Sequence, residues 1–194
     1  MDAPDEDDAA AMTRLRDGDD LALNELMGRW QQPLTSYLAR LCGNEATALD
    51  LAQETFVRVY EARARYDARG RFATWLYTIA SNLARNAHRW KQRHPAVSLD
   101  APIEEGGGTT LAAHLFDSGA EPDASADTNE RAIAVRAAVA ALPEDQRTIV
   151  LLSEFEDRSH ADIAAVLGCT AKAVETRLYR ARQTLRTKLT RWLQ

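Results

Sequence analysis

At 194 residues, 45% of them hydrophobic and 27% charged, the chain is long enough for one domain or two small ones and has the composition of a globular protein. No apolar run reaches the length of a membrane span, and the first eight residues, Met1-Asp-Ala-Pro-Asp-Glu-Asp-Asp8, are the reverse of a basic signal peptide, so a cytoplasmic location is expected. A net charge of −5 weighs against nucleic-acid binding only as a sum, because residues 1–9 carry −5, 10–94 carry +4, 95–130 carry −8 and 131–194 carry +4, and phosphate affinity follows local clusters.

Residues 1–9 read as an acidic tail. Apolar positions three and four apart from Leu21 through Leu26, Trp30, Leu34 and Leu38 to Leu41 then predict a long helix. Pro33 lacks an N–H and crowds the preceding turn, which predicts a kink or break near Gln32. Gly43-Asn44 punctuates the next boundary. A second helix follows on Leu49, Phe56, Val59 and Tyr60, with Phe56 and Val59 inward and Asp50, Gln53, Glu54 and Arg58 on its polar face.

The loop Tyr66-Asp-Ala-Arg-Gly70 separates this helix from a third on Phe72, Trp75, Leu76, Ile79 and Leu83. Bases dominate here: Arg63, Arg65, Arg69, Arg71, Arg85, Arg89, Lys91 and Arg93 face only Asp67. Asn82 and Asn86 lie one turn apart on the basic side with Arg85 and Arg89, and an amide of that kind can pair with a base edge. Trp75 and Tyr77 suggest platforms for unpaired bases, but Trp75 shares its stripe with Phe72, Ile79 and Leu83 and is expected mainly in the core.

From Pro95 to about Asp127 helical periodicity is lost among Pro, Gly and acidic residues, which reads as a flexible linker. One apolar island, Leu111-Ala-Ala-His-Leu-Phe116, interrupts it and suits transient docking on a partner. Periodicity resumes near Ala132 and is broken at Pro143. Ser159 followed by Asp162 approximates a capping box that starts a helix at His160, with Ile163, Val166 and Leu167 as its apolar stripe. Gly168 stops that helix and Thr170 caps the next, in which Val174, Leu178, Ala181 and Leu185 face inward. Lys172, Glu175, Thr176, Arg177, Tyr179, Arg180 and Arg182 are left on or near the open side of a helix-turn-helix.

No alternating strand pattern occurs, so the fold class expected is all-α, with two small helical domains joined by a flexible acidic linker. Cys42 and Cys169 read as reduced, partly buried thiols, with a redox role as the lesser alternative. The four histidines, His88, His94, His114 and His160, fall in unrelated contexts. With no nucleotide-binding glycine loop, metal-ligand spacing or nucleophile-base pair, neither an enzyme nor a cofactor is expected.

Three ordered stretches carry a family resemblance: Asp50-Leu-Ala-Gln-Glu-Thr-Phe-Val-Arg-Val-Tyr60, Phe72-Ala-Thr-Trp-Leu-Tyr-Thr-Ile-Ala-Ser-Asn82, and Leu142-Pro-Glu-Asp-Gln-Arg147 ahead of the helix-turn-helix. Together they resemble the extracytoplasmic-function (group IV) sigma factors of the sigma-70 family, which keep the sigma-2 and sigma-4 domains. The resemblance implies sigma-2 over residues 10–94, a linker over 95–127 and sigma-4 over 128–194. Asp50, Gln53, Glu54 and Arg58 would then meet the beta-prime clamp helices of core RNA polymerase, with the beta flap as a further contact. Arg69, Arg71, Asn82, Arg85, Asn86 and Arg89 would serve the minus-10 element, with the loop from Tyr66 to Arg71 around an extruded base. Glu175, Thr176, Tyr179 and Arg180 would face minus-35 base edges, with Lys172, Arg177 and Arg182 nearer phosphate.

The match has departures. Glu175 stands where relatives often carry a basic or small residue, Ser153 where many have a base, and His160 where tyrosine is usual. The resemblance also implies an anti-sigma factor as partner and an acidic linker that threads toward the basic channels of the polymerase. No small-molecule substrate is implied. The alternative is a stand-alone regulator that binds an operator as a dimer through the same helix-turn-helix.

Overall fold

The computed structural model describes residues 3–94 and 126–192. The described residues are helical, with no strand among them. The first body contains α1 (Ala3–Arg16), α2 (Leu21–Cys42), α3 (Glu45–Glu61) and α4 (Phe72–Arg93). The second contains α5 (Ala126–Ala140), α6 (Glu144–Glu154), α7 (His160–Leu167) and α8 (Ala171–Lys188). Short 3₁₀ turns lie at Arg63–Arg65 and Thr190–Trp192. The linker and its apolar island fall on residues outside those described.

The residues expected as an acidic tail enter α1 at Ala3. Their apolar continuation, Ala11, Met12 and Leu15, is fully buried, and the charge that pattern reading assigned to solvent has a partner. Asp8, 1% exposed, accepts hydrogen bonds from Arg29 Nε and Trp30 Nε1, both at 2.8 Å. A buried carboxylate is costly unless paired and hydrogen-bonded, and here α2 supplies both functions.

Pro33 does not break its helix. α2 runs unbroken from Leu21 to Cys42, although an interior proline costs about 3 kcal/mol. Leu34, Tyr37 and Leu38 on the C-terminal side are fully buried, as is Leu26 on the N-terminal side. At about 1.5–3 kcal/mol for each large apolar side chain removed from water, burial on both sides outweighs the lost bond. Gly43, at φ +69°, closes the helix by donating its N–H to Ala39 O at 2.9 Å, and Asn44 Oδ1 caps α3 by accepting from Thr47 N at 2.8 Å.

Aromatic rings knit the first body together. Trp30 packs edge-on against Phe72 and Tyr77, each at 6.1 Å between centroids, and Tyr37 meets Tyr77 at 5.1 Å. Inside that cluster Tyr37 Oη and Ser81 Oγ satisfy each other at 2.8 Å, so no hydroxyl there is buried without a partner. Burial pushes the Tyr37 phenol well up from its ordinary value.

The second body is built on Ile149, Val150, Leu151, Leu152, Ile163, Val166, Val174 and Leu178. It packs against the first, α7 on α4 and α6 on α2. Arg147 spans the junction: Nη1 donates to Leu41 O at 2.9 Å, at the end of α2, and Nη2 donates to Ala140 O at the end of α5 and to Leu142 O in the turn that follows.

Candidate nucleic-acid interface

The helix-turn-helix forms as its punctuation predicts. Ser159 Oγ accepts from Asp162 N at 3.1 Å and Thr170 Oγ1 accepts from Ala173 N at 3.2 Å, so each helix has its side-chain cap. Gly168 sits at φ +62° with open space where a Cβ would stand; its conformation, not a close approach, is what calls for glycine. Val174, Leu178 and Ala181 are buried against Ile163, Ala164 and Val166, and Leu185 is partly buried.

That packing turns the opposite face of α8 outward. Lys172, Glu175, Thr176, Tyr179, Arg180 and Arg182 are exposed and Arg177 is half-buried, with Tyr179 at 65%. Lys172 Nζ holds Glu175 Oε2 at 2.8 Å, and this hydrogen bond keeps the Glu175 carboxyl below the usual carboxylate range. Arg182 meets Glu154 at 2.6 Å and Arg177 meets Asp145 at 3.8 Å. Arg180 makes no ion pair among the described residues. Exposed ion pairs of this kind are worth at most about 1 kcal/mol and exchange readily for phosphate.

In the first body, Phe56 and Val59 point inward from α3. Asp50, Gln53 and Arg58 are exposed and Glu54 is half-buried. Arg58 bridges Glu54 at 2.7 Å and Glu61 at 3.4 Å. Beside this face an apolar groove of about 430 Å³ is lined by Leu23, Met27, Gln53, Phe56, Val57 and Tyr60. A polar ridge beside an apolar furrow is a surface suited to another helix.

On α4 the side chains sort differently from the expected stripe. Phe72, Leu76, Tyr77, Ala80 and Ala84 are the buried set, whereas Trp75, Ile79 and Leu83 are half-buried. Trp75, Ile79, Asn82, Leu83 and Asn86 form one wall of a groove of about 540 Å³ whose other wall includes Arg58 and Arg65. Tyr77 is unavailable as a base platform because it is fully buried. Asn82, Asn86 and Arg89 are exposed as predicted, and Arg85 Nη1 donates to Asn82 Oδ1 at 3.1 Å.

The loop before α4 is a tight turn rather than an open cradle. Gly70 N donates to Asp67 O at 2.9 Å and Tyr66 Oη to Gly70 O at 3.2 Å. Arg69 donates from its side chain and its backbone to Asp67, which lowers the Asp67 carboxyl to about 2. Two other members of the predicted minus-10 set are engaged by the second body. Arg71 Nη1 lies 3.4 Å from Asp162 Oδ2, and Arg85 Nε lies 3.8 Å from Glu144 Oε1.

Sequence patterning missed the centre of this contact between the bodies. Glu156, its side chain 8% exposed, accepts from Tyr77 Oη and stands 3.6 Å from Arg40 Nη1. Arg158 lies over Trp30 and Tyr77, 5.8 Å from each ring. A carboxylate in the run Glu154-Phe-Glu-Asp157 looks solvated, and its burial exists only once α2, α4 and the turn after α6 meet.

Burial raises the Glu156 carboxyl above the ordinary value, with Tyr77 and Arg40 opposing. A carboxyl raised on folding binds its proton more tightly in the folded chain, so stability falls as pH rises from the ordinary carboxylate value through the raised one. Thermal melts across that window are expected to show this slope, and Glu156→Gln to flatten it. An identical slope in the variant would place the dependence elsewhere.

Cys42 and Cys169 are half-buried free thiols, and burial pushes the Cys42 thiol up. Among the described residues no group of His, Cys, Asp and Glu is arranged to hold a metal ion. No described helix is long and apolar enough to cross a membrane.

Residues 26–94 match the family profile for sigma-70 region 2, and residues 132–185 match that for sigma-70 region 4. The chain is 32% identical over 184 residues to the RNA polymerase sigma-H factor of Pseudomonas aeruginosa, covering 93% of this chain and 92% of that protein. It is 28% identical over 176 residues to the ECF RNA polymerase sigma factor SigW of Bacillus subtilis, covering 91% and 93%. Among solved structures, CnrH in complex with the cytosolic domain of CnrY has the same fold, with a TM-score of 0.69 at 22% identity over 95% of this chain and 97% of that one.

Proposed function

The chain belongs to the sigma-70 family as an alternative sigma factor of the extracytoplasmic-function type, and we propose that it works as a two-point promoter grip on core RNA polymerase without catalysing a reaction itself. The exposed face of α3, Asp50, Gln53, Glu54 and Arg58, with the apolar groove beside it, docks on the beta-prime clamp helices. The second body reaches the beta flap. Arg69, Arg71, Asn82, Arg85, Asn86 and Arg89 serve the minus-10 element, the amides reading base edges and the arginines holding phosphates.

On α8, Glu175, Thr176, Tyr179 and Arg180 face base edges of the minus-35 element, with Lys172, Arg177 and Arg182 nearer phosphate. The observation that carries this reading is the capped helix-turn-helix of the second body, which presents seven polar side chains outward, beside a first body with amides and arginines aligned on α4. Promoter binding exchanges Asp162 and Glu144 for phosphates at Arg71 and Arg85, so the two bodies separate as the DNA enters. An anti-sigma factor that holds them together would silence the chain, and the site of action is the cytoplasm.

Transcription by purified core polymerase tests this directly. Added chain is expected to co-purify with core enzyme and to start transcripts at a promoter that core alone ignores. A chain that binds duplex DNA as a dimer and leaves core enzyme unaffected would instead be an operator-binding regulator.

A further inference from the structure

The C-terminal end of α4 carries an aromatic side chain that the core does not use. Trp90 is 60% exposed, and its neighbours one turn away on the helix are Asn86, Ala87, Arg93 and His94, none of them a large apolar partner. Its ring stacks on His94, with centroids 4.9 Å apart and planes 23° from parallel, and His94 Nδ1 lies 3.1 Å from Trp90 O. Arg89, Lys91 and Arg93 flank it, and no acid occurs between Asp67 and Asp100.

Register gives this patch a direction. Ile79, Leu83, Asn86 and Trp90 follow one another at four, three and four residues, the spacing of one helical stripe. The first three line the 540 Å³ groove with Asn82, so Trp90 continues that wall toward the helix end. The acid that does approach this end, Glu144, lies 3.8 Å from His88 and from Arg85, and His88 projects from the other side of the helix, two residues from Trp90.

We propose that Trp90 is a DNA-contacting residue that carries the grip of α4 beyond the minus-10 element onto the adjoining duplex. The indole lies against bases or sugars while Arg89, Lys91 and Arg93 neutralise phosphates. An exposed aromatic among clustered basic side chains suits a duplex, since the basic groups neutralise phosphates while the indole packs on the sugars and base edges of the groove. The duplex is the upstream one, because α4 leads into the connection to the body assigned to the minus-35 element. This rests on the reading of α4 as the minus-10 helix.

The test uses the full chain with core polymerase and two DNA fragments, one carrying the single-stranded minus-10 element alone and one adding the duplex upstream of it. Trp90→Ala is expected to weaken binding of the longer fragment by about five- to tenfold, from the loss of the apolar contact of one indole with the duplex, and to leave the shorter unchanged. Trp90→Phe should recover most of the loss. Equal binding of the longer fragment by wild type and Trp90→Ala would overturn the proposal. Weaker affinity of Trp90→Ala for core polymerase would overturn it as well, by assigning the indole to a protein surface. Failure of the wild-type chain to bind either fragment with core would sink the underlying reading of α4 and the proposal with it.

Discussion

Arg147→Ala is expected to lower the unfolding free energy by about 3 kcal/mol or more, since hydrogen bonds to a charged donor contribute about 1.5–3 kcal/mol each. The guanidinium serves Leu41 O and Ala140 O, carbonyls in the last turns of α2 and α5, together with Leu142 O in the turn after α5. Truncation strips all three at once and leaves them beside the buried Leu142. Chemical denaturation of the full chain is the measurement. Arg147→Lys should recover only part of the loss, because an ammonium cannot reproduce the planar fork. Coincident denaturation midpoints for wild type and Arg147→Ala would show that water satisfies the carbonyls unaided.

Arg180→Ala is expected to weaken minus-35 binding by about 1–3 kcal/mol if its fork grips a guanine edge, which is about five- to 150-fold in affinity. Arg180 is favoured over its neighbours on geometry. Arg177 and Arg182 are drawn toward Asp145 and Glu154 in the second body, whereas Arg180 projects without an ion pair among the described residues. The discriminating measurement pairs the variant with single-base changes across the minus-35 element. A loss confined to one position assigns the contact; a uniform loss with a shallower salt slope makes Arg180 a phosphate ligand. Unchanged promoter preference and affinity would remove it from the interface.

The local parts of the fold were legible because their signals are local. Ser159, Gly168 and Thr170 end or start helices through their own conformations and caps, and the inward set of α8 follows from a period of 3.6 residues alone. The same reasoning failed at Pro33, where packing on both sides of the ring outweighs a local penalty. It failed at α1, whose acidic residues mask an apolar face that shows only from Ala11 onward and whose Asp8 has its partners 21 and 22 residues away.

The candidate site was legible in the same measure. Exposed members of α3, α4 and α8 could be named because each helix's core stripe leaves the rest outside. Trp75 packs half-buried against the core as its stripe suggested, while Tyr77, read as a possible base platform, is fully buried because α4 turns Tyr77, Ala80 and Ala84 inward as well. Glu156 gave no warning, since its burial depends on two bodies meeting. Trp90 did leave a trace, in the absence of a large apolar residue one helical turn to either side of it.

Trp30 stands at the meeting point of the two bodies, with Tyr77 on one side and the Arg158 guanidinium from the second body over its ring. Separation of the bodies removes that cation and admits water to the indole. The chain therefore carries a built-in optical reporter: opening should change the ultraviolet emission of one tryptophan, against three others at positions 75, 90 and 192, and no attached dye is needed to follow it in real time.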